Sequence, residues 1–287
     1  MESIMSDHGK YLQCFELLLK NSREHECMIE FIHTILPDVL ASIGVDKPTL
    51  NVMGVGSGSG EIDLEILKVL HEMHPDAKVE NEVVEPSKPM INKYKALLLK
   101  TPGLDYATFR WNKMTATEFK TEWDKRNEKK MHFITMIQML CYVDDMESTL
   151  SFYQSLLHKD GKILVILARA ESAWARLFYD FEDQLYQKGF GLNISTKEIK
   201  SYLDSKKITY QTYKLHSPLD VTECFTPGDI KGEEKLDLVT EVIDFSKTAP
   251  PELKDRVLEF LKHPDNSQEV NGRILFDCSL EAVLIDA

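Results

Sequence analysis

Four glycines, Gly54, Gly56, Gly58 and Gly60, alternate over seven residues. The first lies at the end of the apolar run Leu50–Val55, and the other three fall between that run and the helically periodic segment Ile62–Met73. This order brings bare backbone N–H groups and a helix start to one point, where a ligand can approach the main chain closely. An ordinary turn from strand to helix does not need four glycines. The spacing also excludes two common nucleotide loops. Counted from Gly54, the third site of G-x-G-x-x-G falls on Ser59, and counted from Gly56 it falls on Glu61, so the nicotinamide and flavin fingerprint is not met. No Gly-Lys-Ser/Thr follows, which excludes a triphosphate P-loop.

Beyond the loop, strand and helix patterns alternate. Val79–Val84 reads as a strand ending at Glu85-Pro86, Pro89 to Lys100 as a helix and Ala107–Trp111 as a strand. His132–Leu140 reads as a strand and Met146–Leu157 as a helix, and Gly161 turns the chain into a strand over Lys162–Leu167. The pattern predicts an α/β Rossmann-like fold, a mostly parallel sheet with helices on both faces and ligands at the carboxyl ends of the strands. Two helices precede it. Asp7 caps one with Tyr11, Phe15, Leu18 and Leu19 on one side, and Asn21 caps another with Glu24 at its third position, interrupted at Pro37. After Ala168 the spacing predicts helices at Ser172–Gln187, Thr196–Leu203 (capped by Ser195), Glu233–Phe245 and Pro251–Leu261. Strands are expected at Ile208–Leu215 and Arg273–Ile285, and loops at Ser217–Glu234 and His263–Gly272. The expected organisation is a helical cap over 1–45, a ligand-binding core over 46–190, a substrate-side lobe over 191–270, and a final strand over 271–287 that returns to the sheet.

Charge and composition narrow the partners. A net charge of −13 argues against a nucleic-acid footprint and suits a small cationic ligand. The basic stretch Lys125–Lys130 is interrupted by Asn127 and Glu128 and reads as a solvated segment. No apolar run approaches the roughly 20 residues of a membrane span, and the N-terminus has neither the basic start nor the apolar core of a signal peptide. Five scattered cysteines fit reduced thiols in the cytoplasm. The histidines at 71 and 74 read as solvated, so no metal is expected, and a monomer is.

A G-x-G-x-G loop followed by an acid at the end of the next strand is the form used by methyltransferases that bind S-adenosylmethionine. There a carboxylate such as Glu85 accepts both ribose hydroxyls. The segment Leu156–Val165 resembles the turn into the fifth strand of Rossmann-like methyltransferases. More specific strings are Ser6-Asp7-His8-Gly9-Lys10-Tyr11, Glu24-His25-Glu26-Cys27-Met28, Gly58-Ser59-Gly60-Glu61-Ile62-Asp63-Leu64, Asn81–Ser87, Met136-Ile137-Gln138-Met139-Leu140-Cys141-Tyr142-Val143 and Thr248-Ala249-Pro250-Pro251. Together they resemble the histamine N-methyltransferase family from end to end of the chain.

The resemblance implies an S-adenosylmethionine site at Gly56, Gly58, Gly60, Glu85, Met90, Ala116 and Ile137, with S-adenosylhomocysteine as product. It implies Glu24 as partner of a substrate ammonium and Gln138 as a polar contact beside an imidazole. Tyr11, Phe15, Tyr142, Trp174, Phe178 and Cys278 complete the implied substrate side, with Gln138 and Tyr142 nearest the chemistry. Without the resemblance, Glu24 reads as a first-turn acid facing a helix dipole, and Trp174 with Phe178 as core. Departures from the family are Met90 for Gln, Ala116 for Ser and Cys278 for Asn. Cys141, Phe178 and Leu238 replace other aromatics, and Gly191 replaces Cys; four of these changes shrink side chains and imply a wider pocket. Arg169 stands where the family has a small residue. The implied substrate is histamine or a close imidazole amine such as carnosine. The alternatives are another small amine, or a binding protein that keeps the fold without catalysis.

Overall fold

The computed structural model describes residues 1–123, 130–185 and 194–287. Side-chain caps set the first two helices. The Asp7 carboxylate accepts from the N–H groups of Gly9 and Lys10, and α1 (His8–Asn21) follows. α2 (Glu24–Thr34) starts from Ser22, whose hydroxyl accepts from the Glu24 N–H at 3.2 Å. Asn21 is not the cap: it ends α1 and donates from Nδ2 to the Leu17 carbonyl. Pro37 does more than end a helix, because it occupies the first turn of α3 (Leu36–Ala41), where its missing N–H does no harm.

From Thr49 the elements alternate as β1 (Thr49–Val55), α4 (Glu61–Met73), β2 (Lys78–Val84), α5 (Lys88–Lys100) and β3 (Ala107–Asn112), then α6 (Ala116–Trp123), β4 (Met131–Ile137), α7 (Met146–Ser155) and β5 (Leu157–Ala168). Helix α6 falls where periodicity predicts no element, although a capping box announces it. Glu118 accepts from the Thr115 N–H and the Thr115 hydroxyl accepts from the Glu118 N–H. Next come α8 (Ala173–Leu185), α9 (Thr196–Lys206), β6 (Tyr210–Leu215), β7 (Pro218–Asp220), α10 (Ile230–Thr240) and α11 (Phe245–Thr248). The chain closes with α12 (Pro251–Lys262), β8 (Ser267–Val270), β9 (Arg273–Asp277) and β10 (Leu280–Asp286).

Two compact units result. One comprises residues 28–167, 198–213 and 282–287 and is built on a seven-stranded sheet in the order β3-β2-β1-β4-β5-β10-β6. The pairings of β1 with β2 and β4, of β2 with β3 and of β4 with β5 are all parallel. β10 runs against β5, since Lys162 meets Asp286 while Arg169 meets Ser279. This is the expected Rossmann-like architecture. The other unit comprises residues 1–27, 168–197 and 214–281, and holds the antiparallel sheet β7-β9-β8. Its core joins Leu18 of α1, Leu177 and Phe181 of α8, Leu236 and Val239 of α10, Val257 of α12 and Phe276 of β9.

Several elements differ from the sequence reading, each for a local reason. β4 stops at Ile137, not Leu140, because Gln138 takes φ +52. β5 runs through Gly161, which lies in a register irregularity where Met131 faces Leu157 but Phe133 faces Lys162. The single helix expected over Glu233–Phe245 ends at Thr240 because Glu241 adopts a left-handed conformation. The strand expected over Arg273–Ile285 is two strands in different sheets, parted at Cys278 and Ser279, where the Asp277 carboxylate accepts from the Ser279 N–H. The segment read as a loop over His263–Gly272 contains β8, joined to β9 by Asn271-Gly272 with φ values of 53 and 77, as a tight hairpin of primed type requires. The segment read as a loop over Ser217–Glu234 contains β7 and the start of α10, capped by Asp229. Gly191, most of the Lys125–Lys130 stretch and the expected helix end at Gln187 lie outside the described residues.

Asp237 ties the far end of α10 to α1 and α11. It is 3% exposed, accepts from the N–H groups of Phe245 at 2.8 Å and Asp244 at 3.2 Å, and pairs with Lys10 at 2.7 Å. Asp237→Ala leaves a half-buried ammonium and two amides without their acceptor, so urea unfolding should show a loss of about 3–5 kcal/mol. A loss below about 1 kcal/mol would remove Asp237 as the tie.

Candidate active site

In the sheet unit, the register of the central strands gathers three loops. Val55 is level with Val84 on β2 and with Met136 on β4, so the glycine loop, Glu85 and Gln138 all leave the sheet at one height. The Gly56 N–H donates to the Val84 carbonyl at 2.8 Å, fastening the loop's first residue to β2. Gly60 takes φ +85 as the N-cap of α4, and a Cβ there would collide with the ring of the fully buried Tyr94. Only glycine satisfies both conditions.

Glu85 is 6% exposed and holds the site together. Its Oε2 accepts from the Gly58 N–H at 2.9 Å and its Oε1 from the Ser87 N–H at 2.8 Å. A carboxylate has about four acceptor sites, so each oxygen keeps a lone pair for a hydroxyl. The position where a Cβ would sit on Gly58 has no atom within 4 Å, which leaves open space above that carboxylate. A vicinal diol such as a ribose fits this arrangement. Met90 and Ala116 are both buried; the Ala116 carbonyl accepts from Tyr153 Oη at 3.2 Å, and its side chain lines a small cavity of about 80 Å³ with Lys120, Asp145 and Ser148.

Asp63, part of a quoted motif but given no role in the sequence reading, lies beneath the loop. Burial pushes its carboxyl up to about 6; the hydroxyls of Ser57 and Thr135 pull it down, and Glu85 and Glu61 push it up. Thr135 Oγ1 is 3.4 Å from its Oδ1.

At the end of β4, Gln138 takes its left-handed conformation while its N–H still donates to the Ile166 carbonyl at 2.8 Å. The backbone is held by the sheet up to the residue where it turns, an uncommon conformation of the kind that gathers at functional sites. Ile137 is level with Ile166 and half-buried. A short 3-10 turn over Leu140–Tyr142 follows, and Tyr142 is 47% exposed.

In the other unit, Glu24 is 2% exposed at the first position of α2. Cys278 is fully buried, and burial, with help from Asp277 and Glu24, holds its thiol well above the ordinary range. The carboxylate of Glu24 is thus within electrostatic reach of Cys278, so the fold joins two residues 254 positions apart that the resemblance put on the substrate side. Tyr11 and Phe15 stack with centroids 6.3 Å apart, and Trp174 lies 6.0 Å from Phe178. The Trp174 indole N–H donates to the Val239 carbonyl at 3.0 Å. Arg169 pairs with Glu171 at 3.1 Å.

The methyltransferase-domain family matches residues 21–205. Among solved structures, the YcgJ protein of Bacillus subtilis aligns with a TM-score of 0.55 at 14% identity, over 91% of this chain and 98% of its own. The plantazolicin methyltransferase BpumL, solved with S-adenosylhomocysteine, aligns at 0.50 and 12% identity, over 99% and 92%. Fold and loop define a class I methyltransferase that uses S-adenosylmethionine. A zebrafish (Danio rerio) histamine N-methyltransferase is 53% identical over 99% of this chain and 98% of its own length. Histamine N-methyltransferase B of Xenopus laevis and the guinea-pig (Cavia porcellus) enzyme are each 41% identical over the full chain, covering 98% and 99% of their own lengths. The chain belongs to the histamine N-methyltransferase family, and is an N-methyltransferase of small molecules. No helix among the described residues is long and apolar enough to cross a membrane, and no group of metal-ligating side chains is found among them.

Asp63 gives the fold an unusual pH signature. Its folded pKa lies above its unfolded value of 3.8, so the native state binds the proton more tightly. Its contribution is therefore most favourable below about pH 4 and declines as pH rises towards 6, with a plateau above. Relative to Asp63→Asn, the wild type should lose about 2–3 kcal/mol over that window in urea titrations. A gap independent of pH would show that the carboxyl is not shifted.

Proposed function

We propose that this enzyme methylates an imidazole ring nitrogen of histamine. The match at 53% identity over nearly the whole of a histamine N-methyltransferase carries the reading. The burial of Glu24 beside Cys278 supports it, since a buried carboxylate suits an ammonium partner. S-adenosylmethionine supplies the methyl group as a sulfonium electrophile. On the protein side, Glu85, held in place by the Gly58 N–H, would take the ribose end of the cofactor, with Gly56, Gly60 and Ile137 forming the backbone and apolar walls and Met90 and Ala116 the adenosine side.

The acceptor needs orientation and dryness more than acid–base help, because an imidazole with pKa about 6.5 is largely neutral at pH 7. Glu24 fixes the ammonium and so the distance to the ring. The Gln138 side chain orients the ring by hydrogen bonding, aimed by its left-handed backbone. It cannot act as a base, so the ring proton leaves to water. Tyr11, Phe15, Tyr142, Trp174 and Phe178 offer aromatic faces, each able to favour the developing cation by about 0.5–2 kcal/mol.

Histamine is favoured over carnosine because Arg169, a candidate partner for the dipeptide's carboxylate, already pairs with Glu171. No disulfide joins the five cysteines, which supports a reducing, cytoplasmic setting.

Incubating the purified enzyme with labelled S-adenosylmethionine should transfer label to histamine at least about tenfold more efficiently than to carnosine, a gap of one charge-assisted contact. Absence of transfer to histamine sinks the proposal. Glu24→Gln should raise KM for histamine about tenfold or more, with kcat little changed, as loss of a charged hydrogen bond predicts; an unchanged KM excludes Glu24 from the site. Glu85→Ala should weaken S-adenosylhomocysteine binding in calorimetry more than about tenfold, and equal affinity would refute its ribose role.

A further inference from the structure

Glu241 breaks two local rules at once. It ends α10 with φ 54 and ψ 31, a left-handed position that glycine or asparagine ordinarily takes. Its side chain also turns inward. The residue as a whole is only partly exposed, and its Oε2 is shut off from solvent with no hydrogen-bond donor. The backbone, by contrast, is fully used: the N–H donates to Leu238 at 3.3 Å and the carbonyl accepts from Ile4 at 3.0 Å. A buried acceptor left without a donor in an otherwise well-bonded turn calls for an explanation.

The surroundings point to a ligand. On α1, Cys14 lies within electrostatic reach of Glu241, and Tyr11 stands one helical turn before it. Lys10, in the first turn of that helix, is already bound to Asp237 at 2.7 Å. The Trp174 indole reaches the Val239 carbonyl at the same end of α10, so an aromatic wall adjoins the turn. We propose that Glu241 is a second cation-binding group of this unit, which meets a protonated or N–H-bearing ring nitrogen of the substrate at a point separate from Glu24. The inference rests on the reading above that the acceptor is a cationic amine, and deepens it: the unit offers two buried carboxylates to one small molecule. A ligand bearing a carboxylate is disfavoured there.

The free protein meets the electrostatic cost of this arrangement by holding the proton. Burial alone pushes the Glu241 carboxyl up to about 8. Of the titratable groups nearby, Cys14 on α1 is the one within electrostatic reach of it, and Cys14 is in turn reached by Lys10, Glu234 and Asp237. An arriving cation favours the ionised form, so binding near pH 7 releases a proton.

The test is calorimetry on the S-adenosylhomocysteine-loaded enzyme, wild type beside Glu241→Gln, with histamine and phenethylammonium as probes. Expected are about tenfold weaker binding of histamine by the variant, little change for phenethylammonium, whose single cation meets Glu24, disappearance of the buffer-dependent heat that reports proton release with histamine, and unchanged affinity for S-adenosylhomocysteine. The free variant should melt higher, since it no longer buries an unpartnered carboxyl, whereas loss of a merely structural residue would lower the melting temperature. Equal affinity of the two proteins for histamine, an equal loss for phenethylammonium, or no binding of histamine by the wild type, overturns the inference. If the wild type binds histamine in a Glu241-dependent way but does not methylate it, the reading of the reaction fails and this one stands.

Discussion

The parallel pairing of β1 with β2 on one side and β4 on the other puts Val55, Val84 and Met136 on one level. Everything in the cofactor half follows from that register. The glycine loop can be fastened at Gly56 to Val84, and Glu85 emerges where its carboxylate meets the Gly58 N–H. A slip of one residue in β2 would send Glu85 to the opposite face of the sheet. The loop would then lose the acceptor that shapes it before any ligand arrives. Preorganisation here is backbone geometry fixed by a sheet, and a single carboxylate converts it into a site for a diol.

The second unit is organised by how it treats buried charge. Asp237 is fully engaged, with two amides and Lys10 as partners, and serves the fold. Glu24 lies at the start of a helix, where the dipole favours an anion, close to the thiol of Cys278. Glu241 has neither compensation and relies on staying protonated. Such a ranking separates a carboxylate whose partners are supplied by the fold from those whose burial is offset by a helix dipole or by holding a proton. Met90 and Ala116 are buried at no such cost, since a buried apolar side chain leaves no unsatisfied atom of its own.

Most of the alternating half was legible because hydrophobic periodicity and the glycine spacing are local signals, and β1, α4, β2 and α5 lie within a residue or two of their expected limits. The misreadings cluster where conformation departs from periodicity. Gln138 continues an apolar strand pattern in the sequence yet turns left-handed, and Glu241 continues a helical pattern yet ends it. Arg273–Ile285 reads as one alternating run, but the chain changes sheets at Cys278 and Ser279, which depends on partners distant in sequence. Asn271-Gly272 and the Thr115–Glu118 capping box were visible signals passed over.

The glycine loop, the acid after the second strand and the strand-helix alternation were determined by the sequence itself, because each rests on the conformational range of particular residues and on the period at which apolar side chains recur. Those features settle the fold and the cofactor class. Only the tertiary structure decided which carboxylates are buried and what they face. Burial and partnership are properties of packing between segments hundreds of residues apart, and no local pattern encodes that the acid at position 24 lies near Cys278 or that the acid at position 241 is left without a donor.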